Sequence, residues 1–390
     1  MRIAFLTNYI PLHLLDYHRE VEAELRRRFC CEAEYVCRHF LSAPMENNRD
    51  WSVAWGNLDV AVQKSLSVCE SSSHPSGFSD RGQMFVPWST LSDLRRFDPQ
   101  LVISAEMGIR SLFAAWYCRR HGVPLVVWAR LSSHSEKARG HFRLALRRWL
   151  VQRTALFITH GKSGGDYLRT LRVPDSKIAF APYACGGGGF AGILLERSPE
   201  AARRWLVLGQ LIERKGVIEL LTAVAKITAD GSYRPMEIWI AGTGPLESRI
   251  RGISMPASVR VRFLGNVAYD VLPTVMADCG ILVYPTLADE WGMVVNEAMA
   301  GGLPVAGSVY SQAVLEMVEP GVNGFRFDPL DFYSVKGLCD SLQGCDEPAL
   351  ARMRAAARAT AERWSPRWSA GRFADAVAAL PGCRRFLPST

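Results

Sequence analysis

Three carboxylates lie close together in the second half of this 390-residue chain: Asp289, Glu290 and Glu297. Carboxylates accept hydrogen bonds from hydroxyl groups. Asp289 and Glu297 are eight positions apart, so the pair is placed to hold a hydroxyl-rich ligand, such as a sugar nucleotide, from two sides. The alternative is that Asp289 and Glu290 form an ordinary acidic flank favoured by a helix dipole, with Glu297 a solvated helix residue.

The elements that must position these carboxylates form a strand-to-helix junction. Ile281 to Tyr284 is short, apolar and β-branched, which predicts a buried strand that ends before Pro285. Met293 to Ala300 is predicted to be a helix. Unpaired amides at the start of this helix would bind an anion at the carboxyl end of the sheet. They belong to Gly292, Met293 and Val294.

The junction resembles the signature of the family 4 retaining glycosyltransferases, which are group 1 glycosyltransferases. In that family, a Glu-x7-Glu motif follows a strand and a proline. An aromatic-Gly pair comes after the first Glu, and Ala-Met-Ala-x-Gly-x-Pro-Val comes after the second. Trp291–Gly292 and Ala298–Val305 match these two features. The alignment places Glu297 at the second acid and Asp289 at the first, with Glu290 as the alternative first acid.

A second segment, Val207–Gly216, resembles the Gly-Arg-Leu-x3-Lys-Gly loop of the same family. That loop supplies two cations to the diphosphate of the sugar donor. Lys215 occupies the lysine position. Gln210 stands where an arginine is usual, and Arg214 is the candidate to replace the missing charge. A lysine before a glycine is also common on ordinary protein surfaces.

The resemblance implies an α/β protein of the GT-B fold, with two Rossmann-like domains facing each other across a deep cleft. It implies a hexosyltransferase-type enzyme that moves a sugar from a UDP- or GDP-sugar to a hydroxyl group, with retention at the anomeric carbon. The acceptor would be a glycan, a lipid-linked molecule or a small molecule, in bacterial polysaccharide, glycolipid or lipid-linked glycan synthesis. The nucleotide sugar is a co-substrate. No other cofactor and no metal are expected, since no Asp-x-Asp motif is present.

Roles for individual residues follow from the same resemblance. Glu297 would hold the ribose hydroxyls, and Asp289 or Glu290 those of the transferred sugar. Lys215, with Arg214, would stabilise the leaving phosphate. The first half of the chain offers His134, near where the family places a histidine that contacts the donor sugar, and Glu106, which is a candidate for acceptor contact. Both are also compatible with incidental loop positions.

Two other functions fit the same pattern. One is a sugar-nucleotide epimerase of the GT-B fold, which would need its own acid and base and no acceptor. The other is a catalytically idle protein that binds sugar nucleotides, which the departures at Asp289 and Gln210 would suggest.

Apolar runs that alternate with helical stretches predict two α/β halves. We expect a first, acceptor-side domain over 1–185, a nucleotide-sugar domain over 186–365, and a tail over 366–390 that packs back toward the first domain. The run Gly186–Gly189 predicts a flexible joint. Asn47 to Thr90 is poorly periodic and is expected to be irregular.

The net charge of +8 lies wholly in residues 1–185, which hold 25 Lys and Arg against 17 Asp and Glu. Part of this charge forms a basic, partly amphipathic stretch between Lys137 and Arg153 that includes Arg139, Arg143, Arg147, Arg148 and Trp149. It predicts either a core-packed helix with a solvated face or a surface that docks on an anionic membrane. No nucleic-acid-binding motif accompanies it. We expect a cytoplasmic protein, peripheral on the inner face of the membrane if this surface docks. Ten scattered cysteines without Cys-x-x-Cys indicate reduced thiols rather than a metal or redox framework.

Overall fold

The structure is a computed structural model that describes residues 1–29, 35–45, 54–137, 140–186, 188–384 and 386–387. These residues divide into two compact units. Unit 1 consists of Met1–Ser72, Arg81–Gly186 and Ser365–Thr390, and unit 2 consists of Ser73–Asp80 and Gly187–Trp364.

The strands, in chain order, are β1 (Arg2–Thr7), β2 (Val36–Leu41), β3 (Asp59–Val62), β4 (Leu66–Ser73), β5 (Ser79–Val86), β6 (Leu101–Ala105), β7 (Leu125–Ala129), β8 (Leu156–Thr159), β9 (Ile178–Phe180), β10 (Arg204–Leu208), β11 (Met236–Ala241), β12 (Val259–Gly265), β13 (Ile281–Tyr284), β14 (Val305–Ser308) and β15 (Gly324–Phe327). The α-helices are α1 (Leu12–Phe29), α2 (Thr90–Phe97), α3 (Ile109–His121), α4 (His141–Val151), α5 (Lys162–Thr170), α6 (Pro199–Ala202), α7 (Val217–Ile227), α8 (Glu247–Arg251), α9 (Leu272–Ala277), α10 (Met293–Ala300), α11 (Gln312–Met317), α12 (Phe332–Gly344), α13 (Glu347–Arg363), α14 (Pro366–Ala378) and α15 (Pro381–Arg384).

Unit 1 is built on a seven-stranded parallel sheet of order β3-β2-β1-β6-β7-β8-β9. Its central strands β6, β7 and β8 are buried along their whole length. Such strands read as continuous apolar runs because helices cover both faces of a parallel sheet. The strand order reverses at the β1–β6 pair, where parallel α/β sheets open a crevice at their carboxyl ends.

Unit 2 is built on a six-stranded parallel sheet of order β12-β11-β10-β13-β14-β15. Strand β10 pairs with β11 on one side and with β13 on the other. The strand order therefore reverses between β10 and β13, which brings the loops that follow these two strands side by side. The two sheets confirm the predicted α/β class with two Rossmann-like halves.

The last helices return to unit 1. Helix α14 begins at a Ser365 cap and packs along α1. The Tyr17 hydroxyl lies 2.9 Å from Ser369 Oγ in a buried hydrogen bond, and the rings of Phe5 and Phe373 stack with their centroids 6.4 Å apart. Aromatic burial of this kind is worth several kcal/mol. The part of the chain predicted to be a tail over 366–390 is thus a packed element of unit 1.

The prediction that Asn47 to Thr90 is irregular is wrong for its described part. Strand β3 adds to the unit 1 sheet, and β4 and β5 form a separate two-stranded sheet. Strand β4 is exposed almost throughout, so it lacks the apolar alternation that a half-buried strand shows. Residues 73–80 group with unit 2, because Phe78 is buried with Leu287 and Ala288.

Two of the predicted features contain a residue outside the described ranges. The predicted joint Gly186–Gly189 includes Gly187, and the basic stretch includes Arg139, which both lie outside the described residues. Among the helices that are described, none is long and apolar enough to cross a membrane.

Candidate functional site

The loop after β10 is shaped by a glycine. Glu213–Lys215 form one turn of 3-10 helix, and Gly216 then takes a left-handed conformation with φ of 65° before α7 begins. A Cβ atom at Gly216 would lie 2.0 Å from the carbonyl oxygen of Pro285. Glycine is therefore required here both by its φ and by the close approach of the loop after β13. This approach sets Lys215 beside the acidic loop.

Four side chains meet where the two loops touch, and we call them the Asp289 cluster: Asp289, Lys215, Arg214 and Tyr284. Lys215 Nζ donates a hydrogen bond of 2.7 Å to Asp289 Oδ2, and Arg214 Nη1 lies 3.5 Å from the same oxygen. The Tyr284 hydroxyl donates to that oxygen as well, and it accepts a bond of 3.3 Å from Lys215. The predicted first acid and the predicted diphosphate cation are thus bonded directly to each other.

Charge governs the protonation states in the Asp289 cluster. Burial alone would raise the pKa of Asp289, but the positive charges of Lys215 and Arg214 outweigh burial and hold it well below its usual range. Burial and the neighbouring negative charge of Asp289 raise the pKa of Tyr284 well above its usual value. At neutral pH the cluster therefore holds one carboxylate, two cations and a neutral phenol, with a net charge of +1.

The start of α10 lies next to this cluster. Gly292 precedes the helix with φ of 103°, and a Cβ there would lie 3.0 Å from a ring carbon of Tyr284. Trp291 is fixed by a bond of 2.8 Å from its ring nitrogen to Asn296, and its own amide donates to Asp289 Oδ1 at 3.3 Å. Met293 and Val294 are partly exposed in the first turn, which carries partial positive charge.

The other residues of unit 2 that were predicted to bind the donor differ in their exposure to solvent. Glu297 is buried within α10, with 6% of its surface exposed. Glu290 is exposed, and its backbone carbonyl accepts a bond from Gln312. Gln210 is partly buried in the loop after β10. Of the two candidates for the first acid, only Asp289 lies in the cluster with Lys215.

His134 belongs to unit 1, apart in the chain from the cluster. It lies in a turn after β7, where its carbonyl accepts a bond of 3.2 Å from the Lys137 amide. The turn is tied to α5, because the Ser133 amide donates to Ser163 Oγ at 3.0 Å.

A second polar group, which we call the Glu106 cluster, lies at the strand ends of unit 1: Asn8, Glu106, Arg130 and Tyr183. Asn8 and Arg130 both donate to Glu106 Oε1, the former at 2.6 Å. Arg130 also donates to the Tyr183 hydroxyl at 3.2 Å. Glu106 has a left-handed φ of 74°, which is uncommon for a residue with a side chain.

The sequence analysis named Glu106, but it did not identify Arg130 or Tyr284 as candidate site residues. The position of each of these two residues in the sequence could have identified it. Arg130 immediately follows β7 and Tyr284 ends β13, so each stands at the carboxyl end of a strand, where α/β folds place ligand-binding groups.

Comparison with known proteins finds a family model and several relatives that match part of this chain. Residues 202–341 match the family model described as glycosyl transferases group 1. An uncharacterised glycosyltransferase of Methanocaldococcus jannaschii is 31% identical over 126 residues, which cover 32% of this chain and 31% of that protein. A GDP-mannose-dependent alpha-mannosyltransferase of Corynebacterium glutamicum is 25% identical over 262 residues, which cover 63% of this chain and 59% of that protein. The chain thus spans from about a third to about three fifths of these curated relatives.

Among solved structures, HepE of Anabaena in complex with UDP-glucose superposes with a TM-score of 0.69 at 17% identity, over 97% of this chain and 100% of that one. This likeness establishes the fold and matches the fold expected from the sequence. Residues 202–341 therefore match the group 1 glycosyl transferase model, and the chain has the GT-B fold.

Proposed function

We propose that the protein is a retaining glycosyltransferase of family 4, which moves a sugar from a nucleoside diphosphate sugar to a hydroxyl acceptor. The observation that carries the proposal is the Asp289 cluster, which sets two cations and a carboxylate beside a helix start, inside the matched domain. Relatives support the donor class, since one is named as GDP-mannose-dependent and another binds UDP-glucose.

The two cations have a direct chemical role in this proposal. Departure of the nucleoside diphosphate builds negative charge on its outer phosphate, and Lys215 and Arg214 stabilise that charge. The amides near Met293 add a partial positive charge from the helix start. Lys215 donates to Asp289 in the free protein. Its ammonium group has three N–H donors, so an arriving diphosphate either shares Lys215 with Asp289 or displaces that carboxylate.

The acids divide the hydroxyl groups of the donor between them. Glu297, buried in α10, holds the ribose hydroxyls. Asp289 takes the hydroxyls of the transferred sugar, with exposed Glu290 as the alternative. Gln210 contributes a neutral contact where the family usually has an arginine. In unit 1, the candidate ligand-binding groups are His134 and the Glu106 cluster.

We expect the reaction to proceed without a metal cofactor. Two cations and the helix amides supply the positive charge that a metal would otherwise supply to the leaving phosphate. Added Mg²⁺ or Mn²⁺ should leave the transfer rate unchanged, and a rate that depends on either ion would contradict this expectation.

The cellular setting is a further part of the proposal: polysaccharide, glycolipid or lipid-linked glycan synthesis at the cytoplasmic face of a membrane. Two arginines of the basic stretch are already paired with acidic side chains. Arg147 is buried and bonded to Glu136, and Arg143 is bonded to Glu70 at 2.6 Å. These arginines are therefore not free for lipid headgroups. Phe142, with 77% of its surface exposed, is the apolar residue best placed to enter a bilayer interface. Loss of binding to anionic vesicles in Phe142→Ser, with binding unchanged on neutral vesicles, is the expected result.

An assay with a panel of nucleotide sugars tests the central proposal. In the absence of acceptor, we expect slow release of the nucleoside diphosphate from one donor, and with acceptor, a product whose anomeric configuration matches the donor by NMR. An epimerised nucleotide sugar would indicate an epimerase. Tight binding without turnover would indicate a binding protein.

The acid assignment has its own test. Glu297→Gln and Asp289→Asn should each lower kcat/KM by roughly a hundredfold, which is typical for the loss of one charge-stabilised contact. Exposed Glu319→Gln is the matched control and should leave the rate unchanged. Retained activity in Asp289→Asn together with lost activity in Glu290→Gln would transfer the role to Glu290.

A further inference from the structure

Three side chains with metal-binding atoms converge inside unit 1: Glu22 of α1, and Cys37 and His39 of β2. One carboxylate oxygen, the thiol sulfur and a ring nitrogen all lie within 4.8 Å of one another. Cys37 and His39 are two residues apart on a strand, so they point to the same face of the sheet. Helix α1 covers that face and supplies the acid.

The cluster is buried and leaves polar atoms unsatisfied. Cys37 is 3% exposed and His39 is 1% exposed, while the Glu22 side chain is 12% exposed. His39 Nδ1 and Glu22 Oε2 are buried without a hydrogen-bond partner, and the 3.9 Å between them is too long for a hydrogen bond. A buried polar group without a partner is costly, because it has lost its hydrogen bonds to water and gained none in return. A cation that coordinated both His39 Nδ1 and Glu22 Oε2 would remove this cost.

A zinc ion matches this set of donors. Zn²⁺ takes nitrogen, sulfur and carboxylate oxygen in tetrahedral geometry, at lengths that place the ligand atoms about 3.3–3.6 Å apart. The separation between His39 Nδ1 and Glu22 Oε2 has to shorten by about 0.5 Å to reach that geometry, and the two separations from the Cys37 sulfur, which are at most 4.8 Å, by at most about 1.3 Å. One thiolate and one carboxylate also balance the charge of the ion, so the three ligands and the ion would bury no net charge.

Neighbouring groups orient the donors. Arg26 Nη2 lies 3.6 Å from Glu22 Oε1, which leaves Oε2 as the oxygen directed to the cluster. His18 precedes Glu22 by one turn of α1, and its buried Nδ1 likewise has no hydrogen-bond partner. The ring centroids of His18 and His39 are 5.5 Å apart. After a side-chain rotation, His18 is the candidate fourth ligand, and a water molecule is the alternative.

We propose that Glu22, Cys37 and His39 bind one zinc ion that fastens helix α1 to strand β2. The role is structural and does not depend on the proposed transferase activity. The sequence prediction of no metal framework relied on the absence of Cys-x-x-Cys. A search for a short cysteine motif does not find this donor set, because Glu22 and Cys37 are fifteen residues apart and come from a helix and a strand.

Cobalt substitution tests the site directly. The full chain is stripped of metal with a chelator and titrated with Co²⁺, and absorption is followed in the near-ultraviolet range, where thiolate-to-cobalt charge transfer occurs, and in the visible range, where tetrahedral cobalt absorbs. We expect saturation at one equivalent, loss of the charge-transfer band in Cys37→Ser, and no change in Cys118→Ser. Cys118 is a matched control, because it is also buried in unit 1. Absence of the band, or its persistence in Cys37→Ser, would overturn the proposal.

A second pair of variants keeps the test decisive if Cys37→Ser does not fold. Glu22→Gln preserves shape but removes a ligand charge, and Glu20→Gln changes the same helix outside the cluster. Competition with a zinc-chelating dye should show zinc affinity that is roughly tenfold or more weaker in Glu22→Gln and unchanged in Glu20→Gln. Added zinc should also raise the Tm of the stripped wild-type chain, because the unfolded chain has no preformed site. Equal affinities in the two variants, or no shift in Tm, would contradict a zinc site.

Discussion

The ion pair between Lys215 and Asp289 allows a quantitative prediction about stability. The Nζ-to-Oδ2 distance is 2.7 Å, for which Coulomb attraction at an effective dielectric constant of about 20 is about 6 kcal/mol before desolvation is subtracted. Both side chains keep 17% exposure. The net effect therefore lies between the ~0.2–1 kcal/mol of exposed pairs and the ~3–5 kcal/mol cost of breaking a buried one. Arg214 stays 3.5 Å from the carboxylate, so we expect Lys215→Met to lower the free energy of unfolding by about 2 kcal/mol.

A double-mutant cycle measures the interaction itself. Lys215→Met, Asp289→Asn and the combined variant are unfolded by heat in a calorimeter. Exposed Lys226→Met, in the last turn of α7, is the control for the loss of a lysine away from the cluster. For a domain of 150–250 residues, a change of about 2 kcal/mol corresponds to a fall in Tm of about 4–8 °C. We expect a coupling energy of at least about 1 kcal/mol. Additive effects, with a coupling energy below about 0.5 kcal/mol, would refute the inference that the two side chains are bonded in the free protein.

Three further results are expected. The folded-state pKa of Asp289 is depressed, so the stabilisation from its carboxylate is complete above about pH 4 and is lost as acid protonates the carboxylate in the folded protein. Acid should therefore destabilise the wild type more than Asp289→Asn when unfolding is measured as a function of pH. Gly216→Ala should lower the free energy of unfolding by more than about 2 kcal/mol, because the new Cβ would meet the carbonyl of Pro285. Gly231, with φ of 72° and open space around it, is the control, and Gly231→Ala should lower the free energy of unfolding by only the ~1–2 kcal/mol that a left-handed conformation costs a residue with a side chain. Equal losses in the two variants would contradict the steric argument. The nucleoside diphosphate of the true donor should raise Tm, by about 2.7 kcal/mol of stabilisation at one hundred times its Kd, and a panel in which no nucleotide raises Tm would count against the donor-binding proposal.

The junction around Asp289 shows what sequence reasoning can reach. Met293 to Ala300 is a helix and Ile281 to Tyr284 is a strand, with the bounds that apolar periodicity and the flanking glycine and proline predicted. These elements are fixed by local signals, which a single sequence carries. The roles predicted for the acids stay predictions, since their test is enzymatic.

Contacts between segments that are far apart in the chain were harder to predict from the sequence. The bond from Lys215 to Asp289 joins residues 74 positions apart, and it depends on the strand order β10–β13, which no local pattern encodes. The exposed strand β4 was misjudged for the opposite reason, because its sequence lacks an apolar face to signal it. Arg130 was overlooked because a single arginine after a strand looks like any surface charge until Asn8 and Glu106 are placed beside it.

The return of α14 to unit 1 has a consequence for how the chain matures on the ribosome. The residues of unit 1 that pack Phe373 and bond Ser369 are synthesised first, but their partners follow only after the whole of Gly187–Trp364. At about 5–20 residues per second, this interval lasts on the order of 10–40 s. During it, nascent unit 1 exposes the apolar face of α1 that α14 later covers. Folding of unit 1 therefore depends on α14, which is synthesised after unit 2, to close a core begun at strand β1.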